Sequence, residues 1–149
     1  MKNILIAFLF VSSTCVANAN DLEMNVNSEL AKVESELDAC KVVISTNKLI
    51  GMGDAAVASL SKALSSETVG NQSKWSAAMA LGHIGNARAV SALETTVKST
   101  SDSWLKMLAQ DSISMIKGEI PRAGKVYVYA FGVKKTKVDC ESGKIEIIP

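Results

Sequence analysis

The feature that most constrains this chain is a repeat of thirty-two residues. Leu81-Gly82-His83-Ile84-Gly85 stands thirty-two positions after Leu49-Ile50-Gly51-Met52-Gly53. A leucine, an apolar residue and a closing glycine coincide. A further thirty-two positions on, Ile113-Ser114-Met115-Ile116-Lys117 keeps both apolar sites and loses the glycines. The flanks agree as well: Asp54-Ala55-Ala56-Val57-Ala58-Ser59-Leu60 parallels Asn86 to Leu93, one residue shorter. A period of this size, divided into helix-length halves, specifies stacked antiparallel helix pairs. A single pair cannot bury its apolar stripe, so neighbours must share a core. The expected fold is therefore mainly α: a short solenoid of helix pairs.

Local signals place the elements. Leu30, Val33, Leu37, Cys40 and Ile44 recur at three- and four-residue spacing. They predict a first helix from a Ser28 cap to about Gly51 or Gly53, with residues 20–27 polar and frayed. Gly85 is placed as a left-handed helix terminator, and Asp54 and Asn86 as caps of the helices that follow. Ser73 is expected to cap the helix carrying Trp75, and Ser101 or Asp102 the one carrying Trp104. Alanines 77, 78 and 80 allow close helix approach. After Gly118, Pro121 and Gly124 break the pattern. Val126–Phe131, Lys134–Cys140 and Ile145–Ile148 then predict a small β hairpin or meander packed on the helices.

The first nineteen residues read as a secretory leader. Lys2 precedes the apolar run Ile4 to Val11, and Ala17-Asn18-Ala19 offers small residues where a signal peptidase reads. Cleavage is expected after Ala19, with a helical domain over 20–118 and a β tail over 119–149. The Ser12-Ser13-Thr14 that precedes Cys15 lacks the aliphatic residue of a lipidation signal, so no lipid anchor is expected there. The 16 basic and 15 acidic residues of the full chain become 15 of each once Lys2 leaves. A neutral chain has no electrostatic footprint for nucleic acid, and no integral membrane segment is predicted in the mature protein. The acidic cluster at 21–38 and the lysines at 134, 135 and 137 read as solvated faces. Cys40 and Cys140, an even pair in an exported chain, are expected to form a disulfide across about a hundred residues.

The segment Ser73-Lys74-Trp75-Ser76-Ala77-Ala78-Met79-Ala80-Leu81-Gly82-His83-Ile84-Gly85-Asn86, continuing through Ala89-Val90 and Ala92-Leu93, resembles a HEAT-like repeat. The kind it is most similar to is the short one first described in phycobilin lyases. Ser73-Lys74 stand in the place of that family's Val-Arg pair, and the resemblance is fair at 41–64 and degenerate at 105–117. It implies a solenoid in which the second helix of each pair lines a concave face. It also implies a protein partner rather than a defined chemistry, since such solenoids serve many partners. Candidate partner contacts on those helices are Lys74, His83, Lys106 and Gln110. An inhibitor or immunity protein of a toxic or lytic enzyme is one version of this reading. A lyase-like enzyme, by analogy with the phycobilin lyases, is the rival.

Catalytic and metal chemistry find little support. His83 is the only histidine, and it occupies the variable position of the repeat, where a solvent-facing side chain is expected. No second thiol or histidine stands at ligand spacing from either cysteine. Gly51-Met52-Gly53-Asp54-Ala55-Ala56 mimics a dinucleotide loop, but the repeat register already accounts for Gly53. Trp75 and Trp104 are expected to pack between repeats, with an interface role as the alternative. Asn71-Gln72-Ser73 is a glycosylation sequon with meaning only in a eukaryotic secretory pathway. The periplasm or the exterior is the expected location, and no cofactor is expected.

Overall fold

A computed structural model describes residues 12–131 and 135–148; the leader's Lys2 and its apolar run lie outside the described residues. Six α-helices pack together and a three-stranded antiparallel meander follows. The helices are α1 (Ser12–Ser35), α2 (Ala39–Gly51), α3 (Val57–Ser65), α4 (Asn71–Ile84), α5 (Val90–Ser99) and α6 (Ser103–Lys117). Short 3-10 turns at Gly53–Ala56 and Ala87–Ala89 lead into α3 and α5. They form three antiparallel pairs in two layers, with α1, α3 and α5 in one layer and α2, α4 and α6 in the other. Leu49, Leu60, Leu81 and Leu93, all fully buried, fill the space between the layers.

The second layer is held together by small residues. Ala77, Ala78, Ala80 and Gly82 of α4 are buried, and Ser112 Oγ of α6 donates to the Ala78 carbonyl at 2.7 Å. A Cβ added at Gly82 would fall 2.6–2.8 Å from Ser112 Oγ, Cα and Cβ. On the other side of α4, Thr46 Oγ1 of α2 donates to Ser76 Oγ at 3.0 Å, inside the core. Short side chains thus allow the axes to approach, and hydroxyls satisfy one another where they meet.

Helix ends follow capping physics, with four departures from the sequence reading. The predicted single helix from Ser28 is two helices. Their connection lies at residues 36–38, where Asp38 accepts the N–H groups of Cys40 (2.8 Å) and Lys41 (3.4 Å) and so starts α2. Glu36 accepts the N–H groups of Leu37 and Asp38 in the same connection. Leu37, counted as core, is therefore 99% exposed, and Ser28 lies mid-helix. Residues 20–27 are helical rather than frayed, because Val26 is fully buried one turn before Leu30. Ser73 likewise is no cap: the N-cap position of α4 is Gly70. The orphan N–H of Ser73 and its Oγ instead reach the Glu34 carboxylate of α1 at 3.0 and 2.8 Å. A carboxylate from another helix thus does the capping and meets the positive end of the α4 dipole. Asp102 starts α6 as expected, and Asn86 caps its turn; the turn at Asp54 has no side-chain cap. Gly85 and Gly118 end α4 and α6 with φ of 76° and 77°, the left-handed conformation that favours glycine.

Strands β1 (Val128–Phe131), β2 (Lys135–Asp139) and β3 (Lys144–Ile147) pair in chain order, with Val128 opposite Val138 and Val138 opposite Ile145. Among the described residues, none of this sheet belongs to the helical core. Three links among the described residues fasten the tail. Arg122 Nη1 donates to the Ile84 carbonyl at 3.1 Å. The Asn47 side-chain amide pairs with both backbone groups of Val126, at 2.8 and 3.2 Å. Cys140 is bonded to Cys40, with Cα atoms 5.2 Å apart, and Cys40 lies in the first turn of α2.

Two outcomes follow. Gly82→Val should lower stability by about 1–3 kcal/mol through overpacking against Ser112. Gly51→Ala, where an added Cβ meets nothing, should be neutral or stabilising by up to about 1 kcal/mol; urea midpoints of the two variants measure the difference. The Cys40→Ser/Cys140→Ser pair should leave the helical far-UV signal unchanged in native buffer and remove amide protection from 128–147 in hydrogen exchange. Its denaturation midpoint should drop, by at most about 4–5 kcal/mol on the loop-entropy model.

Candidate functional site

The four candidate contacts separate into three places. Lys106 and Gln110 lie one turn apart on α6 and are exposed. Beside them stand Met107, 41% exposed, and Trp104, 61% exposed. Trp104 thus departs from the expectation of inter-repeat packing: α6 is the last helix of the stack, so no following pair covers it. Trp75 meets the expectation. It packs against the core, and its Nε1 donates to Asp102 Oδ2 at 2.9 Å. Asp102 therefore serves two purposes at once. The N–H of Leu105, followed by the Trp75 indole and the N–H of Trp104, holds its carboxyl below the usual range.

Lys74 is the repeat equivalent of Lys106, but it is half-buried. It lines a groove between α3 and α5 of about 690 Å³, together with Ser61, Arg88, Ser91, Thr95 and Ser99. A related groove of about 590 Å³ separates α1 from α3, and its inner end is closed by the Glu34–Ser73 contact.

His83 lies nine residues beyond Lys74 on α4, about 13 Å along the axis. It does not face solvent freely as its repeat position suggested. The ring is half-buried, and its Nδ1 is buried without a hydrogen-bond partner among the described residues. Burial pushes its pKa down, and the neighbouring Arg122 guanidinium pushes the same way. Arg122 is held there by its contact with the Ile84 carbonyl at the C-terminus of α4, where a cation is favoured. Among the described residues no group of three or more His, Cys, Asp or Glu side chains could hold a metal ion. No described helix is long and apolar enough to cross a membrane.

The described surface thus holds an apolar pair beside Lys106 and Gln110, and a hydroxyl-rich groove bearing two cations. The sequence reading missed the exposure of Trp104. It also missed the Ser/Thr groove, whose signal was a set of hydroxyls at helical spacing (Ser91, Thr95, Ser99) on α5.

The model of the PBS lyase HEAT-like repeat matches residues 73–97, which cover most of α4 and α5, so this stretch of the chain is similar to a HEAT-like repeat. No curated protein matches the chain.

The His83 environment has a measurable sign. A histidine whose folded pKa is depressed binds fewer protons than its unfolded form. Stability should then be constant above about pH 7, fall as pH drops through 6.5, and level off below the folded pKa. Urea midpoints at pH 8 and 5.5 should differ more in the wild type than in His83→Gln.

Proposed function

We propose that this protein is an exported, non-catalytic binding module whose principal contact face is the outer surface of α6. The observation that carries the reading is Trp104, a large aromatic 61% exposed on the terminal helix of a repeat stack. Met107 stands beside it, with Lys106 and Gln110 at the rim. Aromatic anchors beside polar rims are the residues that dominate protein interfaces, whereas isolated surface apolar residues carry no such meaning. The HEAT-like repeat supports the same reading, since its units build extended contact surfaces.

The proposed organisation is a leader over 1–19, a helical domain over 20–118 and a tail over 119–149. Export is supported by the sequence of the leader and by the Cys40–Cys140 bond, which suits the oxidising periplasm or exterior. Among the described side chains of α1 the first that is buried is Val26, beyond the expected cleavage point after Ala19.

The test is quantitative capture of partners from an envelope extract by tagged mature protein, compared with Trp104→Ser and with Lys106→Glu/Gln110→Glu. Truncation of a central aromatic should cost about 2 kcal/mol or more, roughly a thirtyfold loss of affinity. A partner retained equally by all three proteins, or no partner at all, would overturn the assignment of this face.

A further inference from the structure

The two helix layers are not equally tight. Alanine, glycine and serine draw α4 onto α6, whereas the leucines between the layers hold α3 and α5 farther out. The result is the groove of about 690 Å³ between α3 and α5. It runs from Arg88, in the 3-10 turn before α5, to Thr100 just after α5, twelve residues or about 18 Å along the axis. That is the length of five to six residues of extended chain.

Its lining has a definite chemistry. Eight of the fourteen lining residues carry hydroxyls. Some are used internally: Thr95 donates to the Ser91 carbonyl and Thr96 to the Ala92 carbonyl, and both keep their acceptor lone pairs. Ser61 is different. Its Oγ is buried at the groove wall and has no hydrogen-bond partner among the described residues. A buried hydroxyl without a partner is a cost that a bound group can relieve. The charges sit towards the two ends. Arg88 lies at the α5 N-terminal end, where it contacts Asn86 Oδ1 and the Asp54 carbonyl. Lys74 lines the groove from the start of α4, where its neighbour Trp75 donates to Asp102 just beyond Thr100, and it makes no ion pair among the described residues. Glu67 is the only acid in the lining.

We infer that this groove binds an extended acidic peptide segment of a partner protein, with its carboxylates on Lys74 and Arg88 and its backbone against the hydroxyls between them. An extended backbone presents N–H and C=O groups alternately, and hydroxyls, which both donate and accept, match either. Two cations on different elements of the groove, Lys74 on α4 and Arg88 before α5, favour a peptide that can engage both over a lone anion. The inference rests on the binding-module reading but uses a different surface from the α6 face.

The experiment measures fluorescence anisotropy of labelled hexaglutamate with the purified protein, using hexalysine and free glutamate as controls. Hexaglutamate should bind, the controls should not compete, and affinity should fall with rising salt. Lys74→Glu/Arg88→Glu should weaken binding about tenfold or more, as two favourable charge contacts become repulsive. Thr95→Trp, which fills the groove without changing charge, should abolish it, with circular dichroism confirming the fold. Amide shift changes should map to Ser61, Ser91 and Ser99. Trp104→Ser should leave hexaglutamate binding unchanged, so failure of the α6 face and failure of the groove are read separately. Absence of hexaglutamate binding, equal competition by free glutamate, or binding insensitive to both groove variants would overturn the inference.

Discussion

The approach of α4 to α6 at Gly82 and Ser112 sets the geometry on which the other features depend. A side chain larger than hydrogen at Gly82 would meet Ser112 Cα at 2.8 Å, so the two axes are held at a distance that only glycine permits. With Ala77, Ala78 and Ala80 alongside, the second layer closes while the first cannot. The first layer is set apart by the leucines beneath it, and the difference in side-chain size opens α1, α3 and α5 from one another. Close packing of this kind is intolerant of volume change, which is why a seam so poor in apolar bulk can fix the curvature of the stack. The Ser112–Ala78 and Thr46–Ser76 hydrogen bonds then satisfy the polar groups that small-residue packing buries.

Much of the fold was legible because the repeat repeats its punctuation. Gly85 ends α4 in the left-handed conformation, the Asn86 cap follows, and Asp102 caps α6, all as local chemistry requires. The third pair lost the glycine from its register but ends at Gly118, one residue later, with the same φ. The first pair was misread because Leu37 continues the helical spacing by coincidence while sitting outside the fold. The competing cue, a carboxylate at Asp38 poised over Cys40 and Lys41, was local and short. Val26, one turn before Leu30, belonged to the true stripe and showed that the helix begins earlier. The Cys40–Cys140 pairing was readable from cysteine count and compartment.

The site was less legible than the fold, for a physical reason. A repeat pattern records what each residue does for its neighbours in the stack. Whether a position is covered depends on where the stack stops. Lys74 and Lys106 are equivalent in the repeat, yet one lines a groove and the other stands on an open face, because α5 and α6 have no successors. Trp104 is exposed for the same reason. His83, at the variable position, is half-buried because Arg122 returns from the tail to the end of α4, a contact that no repeat register contains.

The tail is built on different principles from the helices, and this decides what it can contribute. Its sheet is held by charge as much as by burial. Lys125 pairs with Asp139 at 2.7 Å, a contact that holds that carboxyl down to about 2, and Lys137 lies 3.9 Å from the Tyr127 ring centre. Partly solvated contacts of this kind stabilise modestly and are weakened by salt. The fixed position of the tail therefore rests on Cys40–Cys140, Asn47–Val126 and Arg122–Ile84. Arg122 and Asn47 anchor it at the C-terminal ends of α4 and α2, and the disulfide anchors it at the first turn of α2. The outer face of α6 and the α3/α5 groove touch none of these three anchors. The tail's anchors and the two proposed contact surfaces are thus separate in space, so a change in one need not propagate to the other through any shared residue.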